Sequence, residues 1–232
     1  MHPATTRFDR GDFFWAVLKT SPQYLGVSVK ALLLVLFFVA WAWAAPQDLK
    51  FEVVDSTPGS GTCTLVVHNP GSQGERFTLP AGSVLSHPTQ QDVMTLEKKP
   101  LAVPPKGKVQ CRVSVLCIGK RSEPAQGQDY RWVESETHPQ ALQAQKLWEV
   151  CQKLQSQGDL PPMPMLPAAQ ARVVTQYALW HAQGDFNKSD LKKLLTTCLA
   201  PAPEKEPEVE KATDNIWEGV DLTLKTSKGQ TS

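Results

Sequence analysis

The sequence predicts an α+β protein, with an antiparallel, immunoglobulin-like β-sandwich at 46–120 followed by a small helical part at 121–200. Three observations carry that expectation. Short segments of period-two alternation, punctuated by Gly/Pro turns, occupy Asp48 to Gly119. From Pro139 onward the apolar spacing changes to three and four. An uncharged apolar run stands ahead of both, with the small-residue border of an export signal.

That run, Ala31 to Ala45, reads ALLLVLFFVAWAWAA and follows Lys30 directly. Spanning a hydrocarbon core takes about 20 helical residues, so the run suits the apolar core of a signal peptide better than a membrane span. Ala42-Trp43-Ala44 has the small-x-small pattern of a cleavage site, and Pro46 ends a helix soon after. Residues 1–45 are therefore expected to be a signal peptide if cleaved, or a signal anchor if retained. Either way the rest is secreted or membrane-anchored on the extracytoplasmic side, touching the membrane only through this segment.

The strands follow in order. Leu49, Phe51 and Val53 alternate with polar neighbours, as on a half-buried strand. After the STPGSG turn cluster, TCTLVVHN is enriched in β-branched residues, and Asn69-Pro70-Gly71 turns the chain. RFTLPAGSVL and DVMTLEKKPLAV come next, then a second turn at Pro104-Pro105-Lys106-Gly107. Val109, Cys111, Val113, Val115 and Cys117 lie at alternate positions and mark the clearest strand.

The helices come after. Leu147, Trp148, Cys151 and Leu154 predict a helix from about 139 to 157, and the proline-rich GDLPPMPMLP follows as a connector that is not helical through its middle. A second helix is expected at about 168–183 with Gly184 as its terminator, and a third capped by Ser189. After Pro201 the chain is charged and proline-rich, so 201–232 reads as a disordered tail, with Ile216, Trp217, Val220 and Leu222 as a docking patch.

All five cysteines fall after the export segment, so an odd thiol remains whatever pairs. Cys111 and Cys117 are roughly 20 Å apart on a straight strand, beyond the disulfide limit of about 7 Å. Cys63 can reach either of them across a sandwich, and Cys151 can meet Cys198 between helices, which gives two disulfides and one leftover. The alternative is that all are buried reduced thiols behaving as small hydrophobes.

If Cys63 pairs with Cys111, the leftover is Cys117, in Val115-Leu116-Cys117-Ile118-Gly119, and Thr175-Gln176-Tyr177-Ala178-Leu179-Trp180 lies on the second helix. These two motifs resemble the paired motifs of the thioester-forming (TQXA-type) domains of bacterial surface adhesins. The resemblance implies that the Cys117 thiol condenses with the Gln176 carboxamide, losing ammonia, while Thr175, Ala178 and Trp180 support the motif. It also implies single-use acylation of a partner amine rather than turnover. Without the resemblance, Cys117 reads as a core strand residue and Gln176 as a satisfied amide at the helix border.

Composition narrows the rest. A formal net charge of +1 over 232 residues gives no electrostatic case for nucleic acid. The histidines His2, His68, His87, His138 and His181 are scattered without metal-ligand spacing, so no metal or other cofactor is expected. No G-x-S-x-G, H-E-x-x-H or phosphate-loop motif occurs, and Glu134 and Glu136 read as exposed acids rather than a catalytic pair. The expectation is a non-enzymatic, exported binding or envelope-associated module for an unidentified protein or surface ligand, with the covalent thioester adhesin as its alternative.

Overall fold

The computed structural model describes residues 49–54, 61–119, 126–163, 167–199 and 206–229, all in the compact unit Pro46–Ser232. The expected export segment at 1–45 lies outside the described residues. Among those described, no helix is long and apolar enough to cross a membrane.

Among the described residues eight strands form: β1 (Lys50–Val54), β2 (Thr62–His68), β3 (Glu75–Leu79), β4 (Val84–Ser86), β5 (Val93–Thr95), β6 (Lys99–Val103), β7 (Lys108–Cys117) and β8 (Gly127–Val133). Six of them close a barrel in the order β1-β2-β7-β5-β4-β8, and β3 and β6 pair apart as a two-stranded antiparallel sheet. The expected immunoglobulin-like sandwich is thus corrected to a closed barrel. Closure depends on β8, which pairs with β1 on one side and β4 on the other, joining edges that a sandwich leaves open. Tyr130 and Trp132 alternate in β8 with Asp129 and Arg131, yet this strand falls inside the stretch expected to be helical.

The long strand β7 turns the barrel's corner. Its residues 108–114 pair with β2, from Thr62↔Ser114 to His68↔Lys108, and 115–117 pair with β5, from Val93↔Cys117 to Thr95↔Val115. Alternation puts Cys63, Leu65, Val113, Val115 and Cys117 on one face, and all of these are buried. Met94 and Leu116, on the opposite face, are buried as well, because helices cover this part of the barrel.

Among the described residues four α-helices follow: α1 (Pro139–Gln157), α2 (Gln170–Ala182), α3 (Lys188–Leu199) and α4 (Glu206–Gly229). The first two lie where the periodicity predicts. Past the end of α2 the chain turns at Gly184, at φ 80°, a value that favours glycine. Asn187, not Ser189, caps α3: its Oδ1 accepts from the N–H groups of Ser189 and Asp190 at 2.9 and 3.1 Å, while Asp190 Oδ2 accepts from the Asn187 N–H.

Most of the expected disordered tail, Glu206–Gly229, forms the longest helix among the described residues. α4 packs against α1, α2 and α3 through a stripe that includes Val209, Thr213, Ile216, Val220 and Thr223. Threonines in that stripe hide its amphipathic period from an apolar count, and each satisfies its own hydroxyl by donating to the carbonyl one turn back. Gly219 allows the close approach of α4 to α2: a Cβ there would stand 3.0 Å from Val174 Cγ2.

Cys63, Cys111, Cys117 and Cys151 are free thiols, so the expected disulfides at Cys63, Cys111 and Cys151 are absent. Register explains the strand pair. Cys63 faces Val113 and Cys111 faces Leu65, leaving the two cysteines on a diagonal of about 7–8 Å, outside disulfide reach. Cys151 instead meets Thr223, with Sγ 3.1 Å from Oγ1. The Cys198 side chain lies outside the described residues.

Candidate functional site

The site forms where β7 outruns its neighbour. Val115 N–H donates to the Gly61 carbonyl at 2.9 Å, the last bond between β7 and the chain entering β2. Two residues on, the main-chain groups of Cys117 point the same way, because orientation alternates along a strand, but no strand among the described residues receives them. The Gln176 side chain takes that place. Its Oε1 accepts from the Cys117 N–H at 2.8 Å, and its Nε2 donates to the Cys117 carbonyl at 2.9 Å. One carboxamide thus continues the ladder like a residue of a missing strand, and holds α2 on the barrel.

Two further glutamines finish the strand end. Gln183 Nε2 donates to the Ile118 carbonyl at 3.2 Å, and Gln91 Nε2 to the Gly119 carbonyl at 3.1 Å. Ile118 N–H donates to the Asp92 carbonyl at 2.8 Å. Gln176, Trp180 and Gln183 recur at intervals of four and three, so they share one face of α2. Trp180 is 2% exposed and packs against Tyr177 and Phe186 at centroid distances of 5.9 and 5.8 Å. Its indole Nε1 and the Gln183 Oε1 are buried without a hydrogen-bond partner among the described residues.

The residues singled out from the sequence therefore divide. Cys117 and Gln176, 59 positions apart, are brought together. Trp180 lies on the same helix face. Thr175 is fully buried and donates to the Ala171 carbonyl at 2.7 Å, on the side of α2 that meets Cys151. Ala178 is fully buried in the core. Gln91 and Gln183 were missed; the seven-residue interval from Gln176 to Gln183 is a signal for the second, whereas Gln91 carries none.

The Cys117 thiol lies on the barrel-interior face, and burial pushes it up to about 12. Cys63 is likewise pushed up to about 12, first by burial and then by the neighbouring Cys117 and Cys111 thiols. Tyr130 is raised by burial, with Asp92, Cys117 and Cys63 adding to the effect. Among the described residues no cation lowers the Cys117 thiol, and burial keeps it protonated at neutral pH. Bond lengths alone keep its Sγ within about 7 Å of Gln176 Oε1, since the Cys117 nitrogen is already in contact with that oxygen.

Elsewhere, His138 Nε2 pairs with Asp92 Oδ2 at 3.0 Å and His68 Nε2 with Glu52 Oε2 at 3.1 Å, single pairs that each join two elements. Among the described residues no group of three His, Cys, Asp or Glu side chains is placed to hold a metal ion. A shallow groove of about 350 Å³ lies on the β3–β6 sheet. Comparison with protein-family models, with curated proteins and with solved structures finds no match to this chain.

Proposed function

We propose that this chain is an exported, non-enzymatic attachment module that captures an amine-bearing partner through a single-use thioester between Cys117 and Gln176. One observation carries the reading: a carboxamide 59 positions away is docked on the main chain of the cysteine with which the motif resemblance pairs it. In the proposed step Cys117 Sγ bonds to the Gln176 carboxamide carbon, the C–Nε2 bond breaks, and the thiol proton leaves with that nitrogen as ammonia. A partner amine then attacks the same carbon, forming an amide and returning the thiol.

The surroundings supply proximity rather than an activated thiolate. The Cys117 N–H is aimed at the carboxamide oxygen, where negative charge develops during addition. Gln176 is 2% exposed, which keeps competing water from a formed thioester. An external amine reaches the acyl carbon only when the contact between α2 and β7 opens. Export rests on the apolar run before Pro46.

A second reading, a non-covalent binding module in which Gln176 is purely structural, draws support from a different fact. Both polar atoms of the carboxamide are already satisfied by main chain, and the thiol belongs to the barrel interior. Intact mass under non-reducing conditions, with and without methylamine, separates the two. A deficit of one ammonia, reversed by a methylamine adduct on Gln176, supports covalent capture. A mass explained by free thiols alone sinks it and leaves the non-covalent module.

A further inference from the structure

We propose that the free edge of β3 takes up an extended, acidic segment of a partner protein as an added strand. The case begins with register. In the β3–β6 pair Thr78 faces Pro100, which has no N–H to give. A proline fits a ladder where its nitrogen points away from the neighbouring strand, so Glu75, Phe77 and Leu79 carry the bonds to β6. The alternate residues Arg76 and Thr78 then direct their N–H and C=O groups outward. β3 pairs with β6 alone, and these outward groups have no further main-chain partner among the described residues. Pro100 blunts the far edge of this small sheet, and nothing comparable protects β3.

The sheet is anchored and so presents a firm template. Phe77 packs against Phe51 and Trp132 at centroid distances of 6.3 and 6.1 Å, and Leu79, Leu101 and Val103 are buried. The groove is lined by both strands of the sheet, with Arg76 on β3 as its one charged lining residue among Thr78, Pro100 and Ala102. Lys98 and Lys106 are exposed at the ends of β6, while the Glu97 carboxylate is taken up by the Ser114 N–H at 2.9 Å. Glu75, an exposed acid, precedes Arg76 on β3 itself. Main-chain bonds to Arg76 and Thr78 would give affinity, and a carboxylate set on Arg76 would select acidic side chains at alternate positions.

The test uses the purified chain and a short capped peptide alternating valine and glutamate, with amide hydrogen exchange at Arg76 and Thr78 as the readout. The peptide is expected to slow exchange at both amides, and the valine–lysine counterpart to leave them unchanged. Arg76→Glu, which leaves the ladder intact, is expected to weaken binding about tenfold. Thr78→Pro removes an outward donor and is expected to abolish the protection, with circular dichroism reporting whether the barrel survives; if it does not, Arg76→Glu decides alone. Unchanged exchange with the acidic peptide, or equal protection by the lysine peptide, overturns the proposal. So does protection that grows with protein concentration alone, which would make the occupant a second copy of the chain.

Discussion

Gln176 has two polar ends, and a single residue, Cys117, satisfies both through its main chain. Truncation to alanine would strand a buried N–H and a buried C=O, each worth about 1–3 kcal/mol when left unmade. Gln176→Ala is therefore expected to lower stability by about 2–5 kcal/mol in urea unfolding. A loss under about 1 kcal/mol would show that water reaches the strand end and that the clamp matters little. The motifs single out these two residues as thiol and acyl partners, and that covalent pairing stands as a proposal; the reading of Gln176 as a satisfied amide agrees with its two hydrogen bonds. What was not legible is that the carboxamide binds the cysteine's backbone, because a sequence names side chains and does not show where a neighbouring strand stops. Gln91 and Gln183 went unnoticed for the same reason: their partners are carbonyls, which every residue has.

Among the elements, α1 and α2 were readable because their buried faces are made of apolar residues at helical spacing. α4 was not. Its stripe mixes Val209, Ile216 and Val220 with Thr213, Thr223 and Ser227, and its first turn is acidic, so composition reads as a solvated tail. Acidic residues in that first turn are what a helix N-terminus favours. Packing against three other helices then supplies what periodicity did not announce. Gly219 is the position where this packing is tightest, with Val174 across from it. Gly219→Val is expected to destabilise the chain by about 1–3 kcal/mol through overpacking, despite the helix-propensity gain. A neutral or stabilising result in thermal melts would mean that α4 moves away at little cost and is not integral to the core.

For the whole molecule, burial of thiols ties stability to alkaline pH. The Cys63 thiol has its ordinary value of 9.0 when unfolded and is pushed up to about 12 by burial when folded. Below pH 9 both states hold the proton and the group contributes no pH dependence. Above it the unfolded chain loses the proton first, so stability falls as pH rises from about 9 to about 12, by at most about 1.4 kcal/mol per pH unit for this thiol. Under reducing conditions Cys63→Ala is expected to be less stable at neutral pH but to show a shallower alkaline decline; parallel declines would refute the burial of that thiol. Much of the strand and helix content followed from local pattern: β1, β2, β7, α1 and α2 stand where alternation or helical spacing put them. Those periods are local, set by how side chains alternate along a strand or recur around a helix. Barrel against sandwich, free thiols against disulfides, and packed helix against loose tail were decided only in three dimensions. Each depends on which distant segments meet: β8 with β1 and β4, Cys63 opposite Val113, and α4 on α2. A single sequence carries the faces of its elements, and the partners of those faces emerge when loops close and the shared core is filled.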